Sequence, residues 1–77
     1  MEDALTSQDG VRDAAVVGVP DDRTGETVHA FVVGAVPARL PVPMTVHVVD
    51  ALPVTALGKV DKRRLRERVL VDQLPLP

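Results

Sequence analysis

Apolar positions along this chain gather into three short clusters with strand character and two stretches at helical spacing. Ala14-Ala15-Val16-Val17 is a continuous apolar run, β-branched at its end, and it reads as a buried strand over Val11 to Val19, closed by Pro20. Glu26 to Gly34 alternates instead, with Val28, Ala30 and Val32 on one face and His29, Phe31 and Val33 on the other, the period of a second strand. Between them, Asp21-Asp22-Arg23-Thr24-Gly25 is turn chemistry, so the two strands are expected as an antiparallel hairpin. Thr45 to Val49 is a third, short strand. At the front, Met1 and Leu5 share a helical face over residues 1–8, Glu2 and Asp3 suit a helix N-terminus, and Gly10 ends the element. At the back, a helix runs from Asp61 to about Val71, with Asp61 as N-cap, Val60 and Leu65 as a hydrophobic staple, and Leu65 and Val69 as the buried stripe. Pro37, Pro41 and Pro43 make residues 35–43 an irregular, stiff connection, and Pro53 and Gly58 punctuate a loop from Asp50 to Gly58. The order is α-β-β-β-α: an α+β domain over residues 1–72 with a small three-stranded sheet, and a tail over 73–77 whose prolines bar a helix.

Length narrows what this layout does. A chain of 77 residues makes one small domain that buries about 60% of its unfolded surface. With no Cys there is neither a disulfide nor a thiolate metal site to staple it. Such a thin core does not suit a self-sufficient enzyme with a deep, dry pocket, so the chain is expected to be an accessory module or a piece of something larger. At 45% hydrophobic it is too apolar for a disordered tail. Its apolar stretches fall far short of the ~20 residues that cross a bilayer. Met1-Glu2-Asp3 is acidic and no apolar h-region follows, so no signal peptide is visible, and these features favour the cytoplasm.

The net charge of -2 hides an asymmetry. Residues 1–29 hold seven acids against Arg12 and Arg23, whereas residues 59–68 hold six bases against Asp61 and Glu67. The basic end is the part that would meet an anion. Lys62, Arg63 and Arg64 fall in the first turn of the last helix, where the macrodipole disfavours cations. Either that cost is tolerated on a solvated face, or an anion sits nearby. The stretch Leu52-Pro53-Val54-Thr55-Ala56-Leu57-Gly58-Lys59-Val60 carries the sharpest signal. A loop ends in Gly58, presents Lys59 and passes at once into a helix, placing a mobile ammonium where a phosphate or a developing oxyanion would be met.

Other chemistry is not supported. Gly58-Lys59-Val60 lacks the upstream glycine and the Ser or Thr of a phosphate-binding loop. His29 and His47 have no ligand-spaced partners, so both are assigned structural roles and no metal site is expected. Ser7 is the only serine, and it lies in the first helix. The basic helix has no aromatics beside it for stacking, which argues against nucleic acid, and its apolar face is too short for a membrane-surface helix.

Three segments in order resemble the C-terminal subdomain of adenylate-forming enzymes, the superfamily of acyl-CoA synthetases, peptide-synthetase adenylation domains and luciferases. They are Glu2-Asp3-Ala4-Leu5 through Gly10-Val11, then Ala14 through Asp21 with Gly25-Glu26 and Ala30-Phe31-Val32, and lastly the Pro-x-Thr-x-x-Gly-Lys motif of Pro53 to Lys59. The last motif looks closest to fatty-acyl-CoA ligases, with Lys59-Val60-Asp61 shared with peptide synthetases. The resemblance implies a truncated lid that closes over a large N-terminal adenylating domain, with Lys59 as the adenylation lysine and Thr55 and Gly58 shaping its loop. It implies ATP, Mg2+ and CoA for the complete enzyme and none bound by this chain alone, which is expected to be inactive in isolation. The family's further helix between Val33 and Thr45 is replaced here by the Pro-rich link, which is expected to bare one sheet face. The alternative is a noncatalytic interaction module or remnant that keeps the fold and self-associates, as a homo-oligomer, through that face.

Overall fold

Five elements follow one another in the expected order: α1 (Glu2–Thr6), β1 (Val11–Asp21), β2 (Gly25–Gly34), β3 (Thr45–Val49) and α2 (Lys62–Asp72). The computed structural model describes residues 2–21, 23 and 25–72, the last without its side chain. The expected parts played by Met1, by Asp22 and Thr24 in the turn, and by the 73–77 tail lie outside the described residues.

β1 and β2 form the expected antiparallel hairpin, with Ala15 opposite Phe31 and Val17 opposite His29. β1 does not stop at Val19 but runs through Pro20, which stands opposite Glu26. The sheet order β1-β2-β3 makes β1 an edge strand, and an edge is where a residue without an N–H is tolerated. β3 lies on the other side of β2 and runs parallel to it, with His47 opposite Phe31. A parallel pair needs a crossover, ordinarily of a dozen or more residues and usually helical. Here residues 35–44 make the crossing without a helix. The side chain of Gln8, just after α1, ties the crossing down: its Nε2 donates to the Arg39 carbonyl at 2.7 Å, and its Oε1 accepts from the Arg39 N–H at 3.0 Å.

Strand alternation then divides the core in two. On one face Ala15, Val17, Val19 and Phe31 pack against Leu65 and Val69 of α2, joined at the rim by Val49, Leu52 and Val60. On the other, Ala14, Ala30 and Val32 pack against Leu5 of α1, and Val11 is with them. Strict alternation would put Val11 on the α2 face beside Ala15. A bulge between Val11 and Asp13 inserts one extra residue and reverses its direction, which is how β1 serves both layers. Gly34 closes the hairpin's far end with φ 104°, and a Cβ there would collide with the Gly10 carbonyl, so no other residue fits. The α1 face is not bare across its width, but its β3 end is open: Val48 is 52% exposed.

Candidate functional site

Lys59 stands on a turn that the chain closes on itself. Val54 and Val60 form an isolated antiparallel bridge at its base. The Thr55 N–H donates to the Lys59 carbonyl at 2.7 Å, the Gly58 N–H to the Thr55 carbonyl at 2.9 Å, and the Asp61 N–H to the Pro53 carbonyl at 2.8 Å. Thr55 adds its hydroxyl, whose Oγ1 accepts from the Leu57 N–H at 3.3 Å. Gly58 takes φ 86°, the left-handed geometry that favours glycine, with open space where a Cβ would sit. Leu52 and Val60 anchor both ends of the turn on the α2-side core. All three residues of the motif are therefore brought together in one turn. The Lys59 side chain is exposed and has no hydrogen-bond or ion-pair partner among the described residues.

The helix that follows begins as its sequence requires. Asp61 Oδ1 accepts from the Arg64 N–H at 3.2 Å, the N-cap bond, and Val60 sits against the cluster that holds Leu65. The crowd of cations in the first turn is partly answered within the chain. Lys62 Nζ pairs with Glu2 Oε1 at 3.1 Å, and Arg63 with Glu67 at 3.5 Å. The first pair joins the two ends of the sequence, a contact no local pattern announces.

The two histidines, expected in separate structural roles, meet in the sheet. Parallel pairing of β2 and β3 brings His29 Nδ1 to 3.0 Å from His47 Nε2, and His29 Nε2 lies 3.0 Å from Thr27 Oγ1, which is 3.4 Å from the Val19 carbonyl. One assignment of protons satisfies every atom in line: Thr27 donates to Val19, His29 Nε2–H to Thr27, and His47 Nε2–H to His29 Nδ1. The His47 ring also stacks on Phe31, centroids 4.6 Å apart. Burial, and then the neighbouring His47 charge, hold the His29 imidazole below its ordinary value. Both imidazoles are thus engaged in one hydrogen-bonded line. The two residues face α2 on neighbouring strands, a placement that follows only from the parallel pairing.

Comparison with known proteins gives the family. Residues 1–76 match the family described as AMP-binding enzyme C-terminal domain. A propanoyl:CoA ligase of Mycobacterium tuberculosis, whose acyl group carries a methyl-dioxo-octahydroindenyl ring system, is 42% identical over 83 residues, covering 87% of this chain and 16% of the relative. The fatty acid–acyl-carrier-protein ligase ScoC of Streptomyces coeruleorubidus is 38% identical, over 94% of this chain and 17% of its own. Among solved structures, the fatty acyl CoA synthetase of M. tuberculosis superposes with a TM-score of 0.78 at 30% identity, covering 92% of this chain and 17% of that one. The chain thus spans about one sixth of the length of the relatives it matches. Of the 83 aligned positions in the propanoyl:CoA ligase, 87% of these 77 residues fill only about 67. The relative carries extra chain within the matched region, and the helix-free crossover is where a parallel pair ordinarily has it. The chain belongs to the AMP-binding enzyme C-terminal domain family.

Proposed function

We propose that this member of the family is the lid of an ATP-dependent acid–thiol ligase of the fatty-acyl type, lending Lys59 to an adenylation site held by a larger N-terminal part. The observation that carries the reading is an unpaired, exposed ammonium held at the closing position of a hydrogen-bonded turn. In adenylation, a carboxylate oxygen forms a bond to the α-phosphorus of ATP as the bond to pyrophosphate breaks. Negative charge gathers on the phosphoryl oxygens, and a positioned ammonium stabilises it by donating hydrogen bonds there. Thr55 and Gly58 shape the turn that aims it. The lid then rotates and admits the thiol of CoA. ATP and CoA are substrates of this reaction, and a cytoplasmic location is part of the proposal. In this reading Mg2+ accompanies ATP in the larger part. Fatty acid is the favoured acyl class because two of the similar proteins carry it in their names.

The test joins these 77 residues to the adenylating part of the M. tuberculosis synthetase, in place of its matching segment. The fusion is expected to form acyl-adenylate, and Lys59→Ala to slow that step about 100-fold or more. Equal rates from the two would defeat the reading. The isolated chain is expected to make no acyl-CoA, having no substrate site to orient the reactants.

A second reading, self-association without catalysis, is favoured by one observation. Val48 on the open edge of β3 is 52% exposed and Val36 on the crossover 66%, apolar surface that a second copy would cover. A mass that stays at 8.2 kDa from micromolar to millimolar concentration removes it.

A further inference from the structure

We infer that the apolar tip of the Lys59 turn, Leu57, seats the lysine by entering an apolar recess next to the adenylation site of the larger part. Leu57 is then a positioning residue, and the inference rests on the reading of Lys59 given above. Surface turns are ordinarily written in Gly, Pro, Asn, Asp and Ser. The segment Ala51 to Val60 has only two polar side chains, Thr55 and Lys59. That is the composition of a buried segment, yet Leu57 is 88% exposed and Val54 58%. Looseness does not explain the exposure. Both ends of the turn are anchored on the core by Leu52 and Val60, and its backbone is bonded across at Thr55–Lys59 and Pro53–Asp61. A single exposed leucine is ordinary on a protein surface. A rigid, almost wholly apolar turn that lifts a leucine clear of the fold two residues from an unpaired lysine is a docking element.

The occupant follows from what lies outside this chain. The relatives carry about five sixths of their length elsewhere, and the proposed reaction requires Lys59 to meet that part. A pre-formed turn loses little conformational freedom when it docks, so its apolar contact is realised almost in full. Burying Leu57 also strips water from around Lys59, and an ammonium in a drier site stabilises developing charge more strongly than one in water.

The experiment uses the fusion described above, with Leu57→Ser, Leu57→Met and Lys59→Ala. Leu57→Ser is expected to slow adenylate formation about tenfold, and Leu57→Met to restore most of it. Neither is expected to move the thermal midpoint of the 77-residue chain. Because the chain has no native Cys, Leu57→Cys supplies an independent readout, followed by peptide mass. It should react freely with maleimide in the 77-residue chain and be protected in the fusion when ATP and fatty acid are present. If Lys59→Ala cripples the fusion while Leu57→Ser leaves it unchanged, the seating role is overturned and the role of Lys59 stands. If Lys59→Ala changes nothing, both fall. If Leu57→Ser unfolds the chain, the leucine is a fold contact and the inference is wrong.

Discussion

The α2 face of the sheet and the Lys59 turn are written in the same apolar alphabet and end in opposite states. Ala15, Val17, Val19, Phe31, Leu65 and Val69 bury one another to 2% exposure or less. Leu57 and Val54 stand in solvent on a turn whose shape comes from backbone hydrogen bonds. In the first region the side chains are the reason the fold exists. In the second the fold exists without them, so their use lies beyond this chain. Stability and function should therefore respond to different residues, and substitution can separate them.

The largest expected effect is in the core. Phe31→Ala removes the largest fully buried side chain and should cost about 3–5 kcal/mol in urea denaturation, enough to unfold a domain this small. Leu57→Ala should change the same measurement by no more than about 0.5 kcal/mol. A comparable loss from both would erase the distinction between the two regions. Next comes Gly34→Ala, at about 2 kcal/mol or more, because positive φ and the Gly10 carbonyl act together. Gly58→Ala, strained in φ but with open space around it, should cost about 1–2 kcal/mol and sharpen the contrast between packing and backbone geometry. Removing the cap with Asp61→Ala should cost about 1 kcal/mol and fray the first turn of α2, read by helical circular dichroism. Lys62→Met breaks a half-exposed pair with Glu2 and should cost about 0.2–1 kcal/mol, less as salt is added.

The histidine line adds a pH dependence to the core region alone. His29 is held below its ordinary value in the fold, so as pH falls the unfolded chain takes up its proton first. Stability is then full above the ordinary imidazole value of 6.5 and declines as pH drops through it toward the lower folded value. Thermal midpoints measured from neutral to mildly acidic pH should fall in the wild type and flatten in His29→Gln.

Elements set by nearest neighbours were legible in the sequence. The alternation of Val28 to Val33, the turn acids with Gly25, and Asp61 ahead of Leu65 and Val69 each named their structure within a residue or two. The turn carrying Thr55, Gly58 and Lys59 was legible too, because Pro53 and Gly58 punctuate it and the helix start closes it. What escaped depends on partners distant in sequence. Pro20 looked like a strand end because its tolerance at an edge follows only from the sheet order. Strict alternation would put Val11 in the α2 layer, because a bulge leaves no mark on composition. The first-turn cations looked unanswered because Glu2 stands sixty residues from Lys62. The meeting of His29 and His47 required knowing that β3 runs parallel to β2.

The role given to Lys59 separates two half-reactions, and that separation is the measurement to make. In the fusion, Lys59→Ala and wild type would be compared in ATP–pyrophosphate exchange and in thioester formation from preformed acyl-adenylate and CoA. A lysine that serves adenylation alone should cost the variant its exchange activity and leave thioester formation within a few-fold of wild type. Loss of both half-reactions in equal measure, or of neither, would contradict it.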